Sequence, residues 1–165
     1  MGYCGGMLSD DFLAKFSNTI GARGLRLIGR LNVPLYRASG GRLGGKVGDG
    51  PVLLLTTTGR RSGRQRTTPV LYLPHGEAMV LIDTNGGNEP RPAWSINLNA
   101  KPRGEVEIRR RKLDVTARIA EGTEREELWR ASNDQYGGFD RYAEWLDRTP
   151  RVWVLEPAAT GTATV

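Results

Sequence analysis

Between residues 52 and 157 short apolar runs alternate with glycine-rich or charged turns, and the apolar residues recur at strand periods in some runs and helical periods in others. Residues 52–58 read as a buried strand and 67–73 as a second, with Pro69 marking an edge, a bulge or the strand's beginning. A Pro-His-Gly turn at 74–76 leads into a third strand over 79–83, which completes an antiparallel meander. Pro92 opens a helix reaching residue 100 that carries Trp94, Asn97 and Leu98 on one face. Segments 105–109 and 112–119 form a hairpin. In its second strand Leu113, Val115, Ala117 and Ile119 alternate with Lys112, Asp114, Thr116 and Arg118, as expected of a sheet with one wet face. Thr123 with Glu126 predicts a capping box at the start of a helix carrying Leu128, Trp129, Ser132 and Tyr136, closed by Gly137 and Gly138. A further helix bears Phe139, Tyr142, Ala143 and Leu146, and Pro150 precedes a last strand over 151–156.

The N-terminal third is helical in pattern. Phe12, Phe16 and Ile20 recur every four residues, and after a break at 21–24 Leu27, Ile28, Leu31 and Leu35 share a face until Pro34 interrupts. Arg23, Arg26 and Arg30 form a basic stripe on this second piece, read either as a solvated face or as a contact with an anionic membrane surface. Residues 39–50 are a glycine-rich loop rather than a strand. The domain expected is a single one over 9–157, with a disordered start at 1–8 and a flexible tail at 158–165. Adjacent antiparallel strands with inserted helices point to an α+β barrel or sheet, not to a doubly wound fold.

Composition narrows the chemistry. A chain of 165 residues is long enough for one core without metals or bridges. The single cysteine, Cys4, cannot form an internal disulfide, and the single histidine, His75, falls at a turn, which removes zinc-site and Ser-His-Asp readings. No apolar run approaches the ~20 residues of a membrane span and no signal-peptide pattern is present, so the expected location is the cytoplasm, with the basic stripe allowing association with the inner face of the cell membrane. A net charge of +6 favours anionic partners. Nucleic acid is not expected, because aromatics are not interleaved with the cations and no nucleic-acid motif appears.

The densest chemistry lies at 56–69, TTTGRRSGRQRTTP, where Arg60, Arg61, Arg64 and Arg66 are spaced by Gly59, Gly63 and small hydroxyl residues between two strands. Such a loop aims guanidinium groups and backbone amides outward, an arrangement suited to an anion. The GxxxxGK[ST] register of a P-loop is absent. A second glycine-rich turn, TNGGNEPRP, occupies 84–92. Acids, bases and nucleophiles are scarce in promising places. Anion-binding loops, Trp94 and the hydroxyls of Tyr136 and Tyr142 fit an enzyme whose reactive chemistry is carried by a cofactor.

The segments LLLTTTGRRSGRQRTTPVLYL, TNGGNEPRPAWSINLNAKP, LDVTAR and YAEWLDRTPRVWVLEP together resemble the deazaflavin-dependent nitroreductase family, actinobacterial F420H2-dependent quinone and nitro reductases. The resemblance runs from about residue 31 to 157. It implies a split β-barrel related to FMN-binding flavoreductases. It implies that Arg60, Arg61, Ser62 and Arg66 contact the phosphate and oligoglutamate tail of coenzyme F420 with Pro69 nearby, and that Thr84, Asn85, Trp94 and Asn97 border the cofactor. It also implies reduction of an enone, quinone or nitroaromatic acceptor, with Tyr136 and Tyr142 on the substrate side guiding a proton. Phe139 stands where nitroimidazole-activating members carry tyrosine, so the substrate pocket lacks that hydroxyl and nitroimidazole reduction is not expected. Asn85 and Arg61 stand where lysine is common. Two alternatives stay open: FMN held by the same arginines, and a non-catalytic basic module. No metal is expected, and a monomer is the favoured state.

Overall fold

The computed structural model describes residues 24, 27, 29 and 31–158. The expectations for 1–23, for the stripe of Arg23, Arg26 and Arg30, and for the tail beyond 158 fall outside the described residues. The chain runs helix α1 (31–39), β1 Lys46–Val47, β2 Gly50–Thr58, β3 Gln65–Leu71, β4 Leu73–His75 and β5 Ala78–Ile82. A 3₁₀ turn at Asn85–Gly87 follows, then α2 Ala93–Ala100, β6 Arg103–Ile108, β7 Arg111–Ile119, α3 Gly122–Gln135, α4 Phe139–Glu144 and β8 Val152–Pro157.

All neighbouring strands are antiparallel. The ladder passes from β2 through β6, β7, β8 and β5 to β4, while β3 pairs with the other edge of β2. β3 and β4 are separated only by Tyr72. Since β3 joins β2 and β4 joins β5, this one stretch bridges both ends of the path and the sheet curls back on itself. That is the split-barrel architecture the resemblance implied.

Alternation explains which residues fill it. Leu53 and Leu55 of β2, Met79 and Leu81 of β5, and Trp153 and Leu155 of β8 point into the barrel, where Trp94 and Leu98 of α2 join them. Each fully buried side chain of this size contributes about 1.5–3 kcal/mol relative to exposure. The intervening residues Val80, Ile82, Val152 and Val154 form a second core on the outside of β5 and β8, under Leu128 of α3 and Phe139 and Tyr142 of α4. β5 and β8 are therefore apolar at almost every position, as strands buried on both faces must be. α1 lies outside β2 and β6. Tyr36 Oη donates to the Val52 carbonyl at 3.2 Å and accepts the Arg109 N–H at 2.8 Å.

Several local expectations need correction. The helix continues through Pro34 to residue 39, because Tyr36, only 1% exposed, anchors the following turn. Part of the 39–50 loop forms β1, which pairs with Gly50 and Pro51. The 123–126 capping box does not form: Gly122, at φ 55°, starts α3 two residues earlier with Glu121 as N-cap and no side-chain cap bond. Arg118 instead engages Glu124 through both carboxylate oxygens at 2.8 Å. Of the alternatives for Pro69 the edge is the one observed: it pairs with Leu54 in the middle of β3, which is paired with β2 alone over that length, so its missing N–H faces no partner strand among the described residues.

Candidate functional site

The arginine loop is a tight turn at the end of β2. The Gly59 N–H donates to the Arg64 carbonyl and the Gly63 N–H to the Gly59 carbonyl, each at 2.8 Å. A Cβ at Gly59 would lie 2.6 Å from Ser62 Oγ and 3.2 Å from the Arg64 carbonyl oxygen, and Gly63 sits at φ 64°, so glycine suits both positions of the turn. Ser62 Oγ accepts the Arg64 N–H at 3.3 Å. Asn97, reaching over from α2 and buried, accepts the Arg60 N–H at 3.1 Å and donates to Thr57 Oγ1 at 3.0 Å. The loop backbone is thereby held from within and from the side. Arg60, Arg61, Arg64 and Arg66 are all exposed, and among the described residues none of the four is in an ion pair. The result is a concentration of positive charge without a counterion among the described residues.

The second turn is built on a network that the sequence did not reveal. Asp83, with no exposed surface, accepts from Arg91 Nη1 at 2.7 Å, Ser95 Oγ at 2.6 Å, Arg148 Nη1 at 3.3 Å and the Arg151 N–H at 2.7 Å. Ser95 Oγ in turn accepts Trp153 Nε1 at 3.0 Å. Arg148 also donates to the Asp83 and Asn88 carbonyls, at 2.9 and 3.4 Å. Burial lowers the Arg148 pKa from the usual guanidinium value, against the opposing pull of Asp83. One carboxylate thus ties the end of β5 to the segment preceding β8 and to α2. On this base Asn85 takes a left-handed conformation, φ 52°, and its Nδ2 donates to the Pro90 carbonyl at 2.7 Å. Thr84 is buried beside it.

Tyr136, Phe139 and Tyr142 come together in the core outside β5 and β8. The two tyrosine hydroxyls lie 2.9 Å apart and Phe139 meets Tyr136 edge-on at 5.4 Å. Trp145 packs against Tyr142 at 6.0 Å, and a Cβ at Gly87 would lie 2.5 Å from the Trp145 ring. The aromatic cluster therefore rests on the second turn. Tyr136 also approaches Gly50, at the start of β2, whereas the arginine loop leaves its far end. A nine-residue strand spans roughly 30 Å. A ligand that touched both groups would have to be extended.

Not every candidate faces open space. Trp94 is 5% exposed and packs inside the barrel with Leu98, so it anchors α2 and thereby Asn97. Pro69 lies under the N-terminal helix, where a Cβ at Gly29 would be 3.4 Å from its ring. Asp83 and Arg148 are the residues that sequence reasoning missed: a single carboxylate closing an apolar strand, with arginine partners 8 and 65 positions away, carries no spacing signal. Among the described residues no group of His, Cys, Asp and Glu is arranged to hold a metal.

Comparison with known proteins places this split barrel, with its cationic loop, among cofactor-dependent oxidoreductases. The F420H(2)-dependent quinone reductase family matches residues 28–157. An F420H(2)-dependent quinone reductase of Mycobacterium tuberculosis is 33% identical over 131 residues, covering 78% of this chain and 86% of that protein. The solved structure of an F420-H2 dependent reductase (FDR-A) superposes with a TM-score of 0.60 at 33% identity, over 67% of this chain and 98% of that one. A solved chain described as a domain-swapped dimer gives the same TM-score of 0.60 and 33% identity, over 67% and 84% of the two chains. The chain belongs to the F420H(2)-dependent quinone reductase family. Coenzyme F420 is accordingly its cofactor, in place of the FMN and non-catalytic alternatives. The donor set fits that group, since phosphate and carboxylate oxygens match guanidinium forks free of internal carboxylates.

Proposed function

We propose that this reductase acts on electron-poor acceptors, with quinones as the principal class and enones and nitroaromatics within reach, and that the arginine loop holds the anionic tail of the cofactor. The observation that carries the reading is the loop itself, in which Asn97 fixes the backbone while four guanidinium groups remain exposed without internal ion pairs among the described residues. When bound, reduced F420 supplies the hydride.

Arg60, Arg61, Ser62 and Arg66 bind the phosphate and carboxylates, each charged hydrogen bond contributing roughly 1.5–3 kcal/mol. Thr84 and Asn85 would border the cofactor, in a turn whose shape is set by Asp83 and Arg148. Tyr136 and Tyr142 form a hydrogen-bonded hydroxyl pair 2.9 Å apart, from which one hydroxyl would give its proton to the acceptor oxygen as the hydride arrives, its phenolate being stabilised by the other hydroxyl and reprotonated from water, while Phe139 supplies an apolar wall beside them. The wall has no hydroxyl at that position, which disfavours nitroimidazoles.

The N-terminal helix supports a second reading. Leu27, Leu31 and Leu35 recur every four residues and are 60%, 67% and 48% exposed, an apolar stripe suited to the surface of an anionic membrane. No helix among the described residues is long and apolar enough to cross a membrane.

The direct test is a screen of quinones, enones and nitroaromatics against reduced F420, followed at the cofactor's absorbance. Oxidation by quinones above the protein-free rate supports the assignment, and cofactor binding without oxidation of any acceptor overturns it. Vesicle flotation tests the second reading: co-flotation with anionic but not neutral vesicles supports it, and none with either contradicts it. Light scattering on the eluting peak tests the expected monomer.

A further inference from the structure

At the end of β2 away from the arginine loop, an open groove of about 1110 Å³ lies between the end of α1, the segment leading to β1, Tyr72 and the tip of the β6–β7 hairpin. Its wall carries Arg42, Lys46, Arg109 and Arg110 and no acidic side chain, above a floor that includes Tyr36, Tyr72 and Ile108. Glu107, the residue before Ile108 on β6, is held by Arg37 at 2.9 Å. Among the described residues none of the four cations is in an ion pair.

The backbone is shaped around two of them. Ile108 pairs with Arg111, leaving Arg109 and Arg110 as a two-residue hairpin turn. Arg109 adopts φ 59°, a conformation that such turns normally assign to glycine or asparagine. Its N–H is bonded to Tyr36 Oη at 2.8 Å, which holds the strained residue against the floor. Facing it, Gly40 and Gly41 are also left-handed, at φ 63° and 79°; a Cβ on them would lie 2.8 Å from Arg110 Nε and 3.1 Å from Arg109 Cα. The two glycines make room for the two arginines. Burial, and then the neighbouring Tyr36, push the Tyr72 hydroxyl above its ordinary pKa against a downward pull from Arg109, so it stays protonated and able to donate.

We infer that this groove is a second ligand site, separate from the arginine loop, that takes a small organic anion with a flat apolar body, of the aryl phosphate class. The head group meets the guanidinium groups of Arg109 and Arg110 and the cations of Arg42 and Lys46; the ring lies on the tyrosine floor. The groove is open and somewhat larger than most small-molecule pockets, and its charged groups line one wall above an apolar floor. Four cations without an ion pair among the described residues explain why a charged ligand, and not a purely apolar one, is the match.

The test is titration of the full chain with 1-naphthyl phosphate, read by the probe's own fluorescence. Saturable binding is expected, with inorganic phosphate and 1-naphthol each at least about tenfold weaker because each offers half of the recognition. Arg109→Gly removes the side chain and relieves the backbone, so its melting temperature should not fall while affinity drops about tenfold. Arg110→Ala should weaken binding likewise. The double variant Arg60→Ala/Arg66→Ala should bind the probe as the unaltered chain does. No saturation up to millimolar probe, undiminished affinity in Arg109→Gly, or loss of binding in the Arg60/Arg66 variant would each overturn the inference.

Discussion

Asn97 accepts the Arg60 N–H and donates to Thr57 Oγ1 while almost fully buried, so its amide couples the end of β2 to the loop that follows. Asn97→Ala removes both bonds and leaves the Thr57 hydroxyl without this partner. We expect a loss of about 1–3 kcal/mol in urea denaturation together with weaker F420 binding. Arg60→Ala/Arg66→Ala should behave differently: exposed side chains without internal partners leave stability within about 0.5 kcal/mol, yet F420 affinity should fall at least about a hundredfold. Phe139→Tyr places a hydroxyl beside the Tyr136–Tyr142 pair and should raise turnover of nitroimidazole relative to quinone, measured as a ratio of kcat/KM values. The arginines and tyrosines were legible because their residue types announce their chemistry. Asn97 was legible only as part of a helical face. Its two partners depended on how α2 docks over β2, a non-local fact that spacing does not encode.

The turn between β5 and α2 shows how a segment rich in glycine and asparagine acquires one shape. Asp83 accepts from three side chains and one backbone N–H, and Arg148 donates to the carbonyls of Asp83 and Asn88. Asp83→Ala would leave Arg148 and Arg91 without their buried counter-charge, at a cost of about 3–5 kcal/mol measured by denaturant titration. Asp83→Asn, which keeps part of the acceptor geometry, should cost less. Most elements could be read from periodicity, the β6–β7 hairpin to within two residues of its observed limits. The α3 start could not be. Thr123 and Glu126 match the capping-box pattern, but the positive φ of Gly122 and the pairing of Glu124 with Arg118 set the boundary instead. Competing side-chain partners outside the helix decide such ends.

The two cores share β5 and β8, whose alternate side chains enter the barrel interior and the layer under α3 and α4. Loss of either core exposes the other face of the same strands, so unfolding should be a single transition by far-UV dichroism and by tryptophan fluorescence. F420 at a hundred times its Kd should add about 2.7 kcal/mol of apparent stability, and the melting temperature should rise by roughly 5–10 °C. The α+β class and the antiparallel order could be read from the patterns, but closure of the ring through Tyr72 could not: the strand expected over 67–73 breaks at Tyr72, and Pro74 and His75, expected in a turn, belong to β4 and pair with β5. The resemblance supplied that architecture where periodicity stopped.

The arginine loop as the grip on F420 is tested most directly by titrating the fluorescence of oxidised F420 with the unaltered chain and with Arg60→Ala/Arg66→Ala, with FMN titrated in parallel. Saturable F420 binding by the unaltered chain, lost in a variant that remains folded, with no comparable FMN response, is the expected result. Equal F420 affinity in both proteins, or FMN bound more tightly than F420, would contradict it.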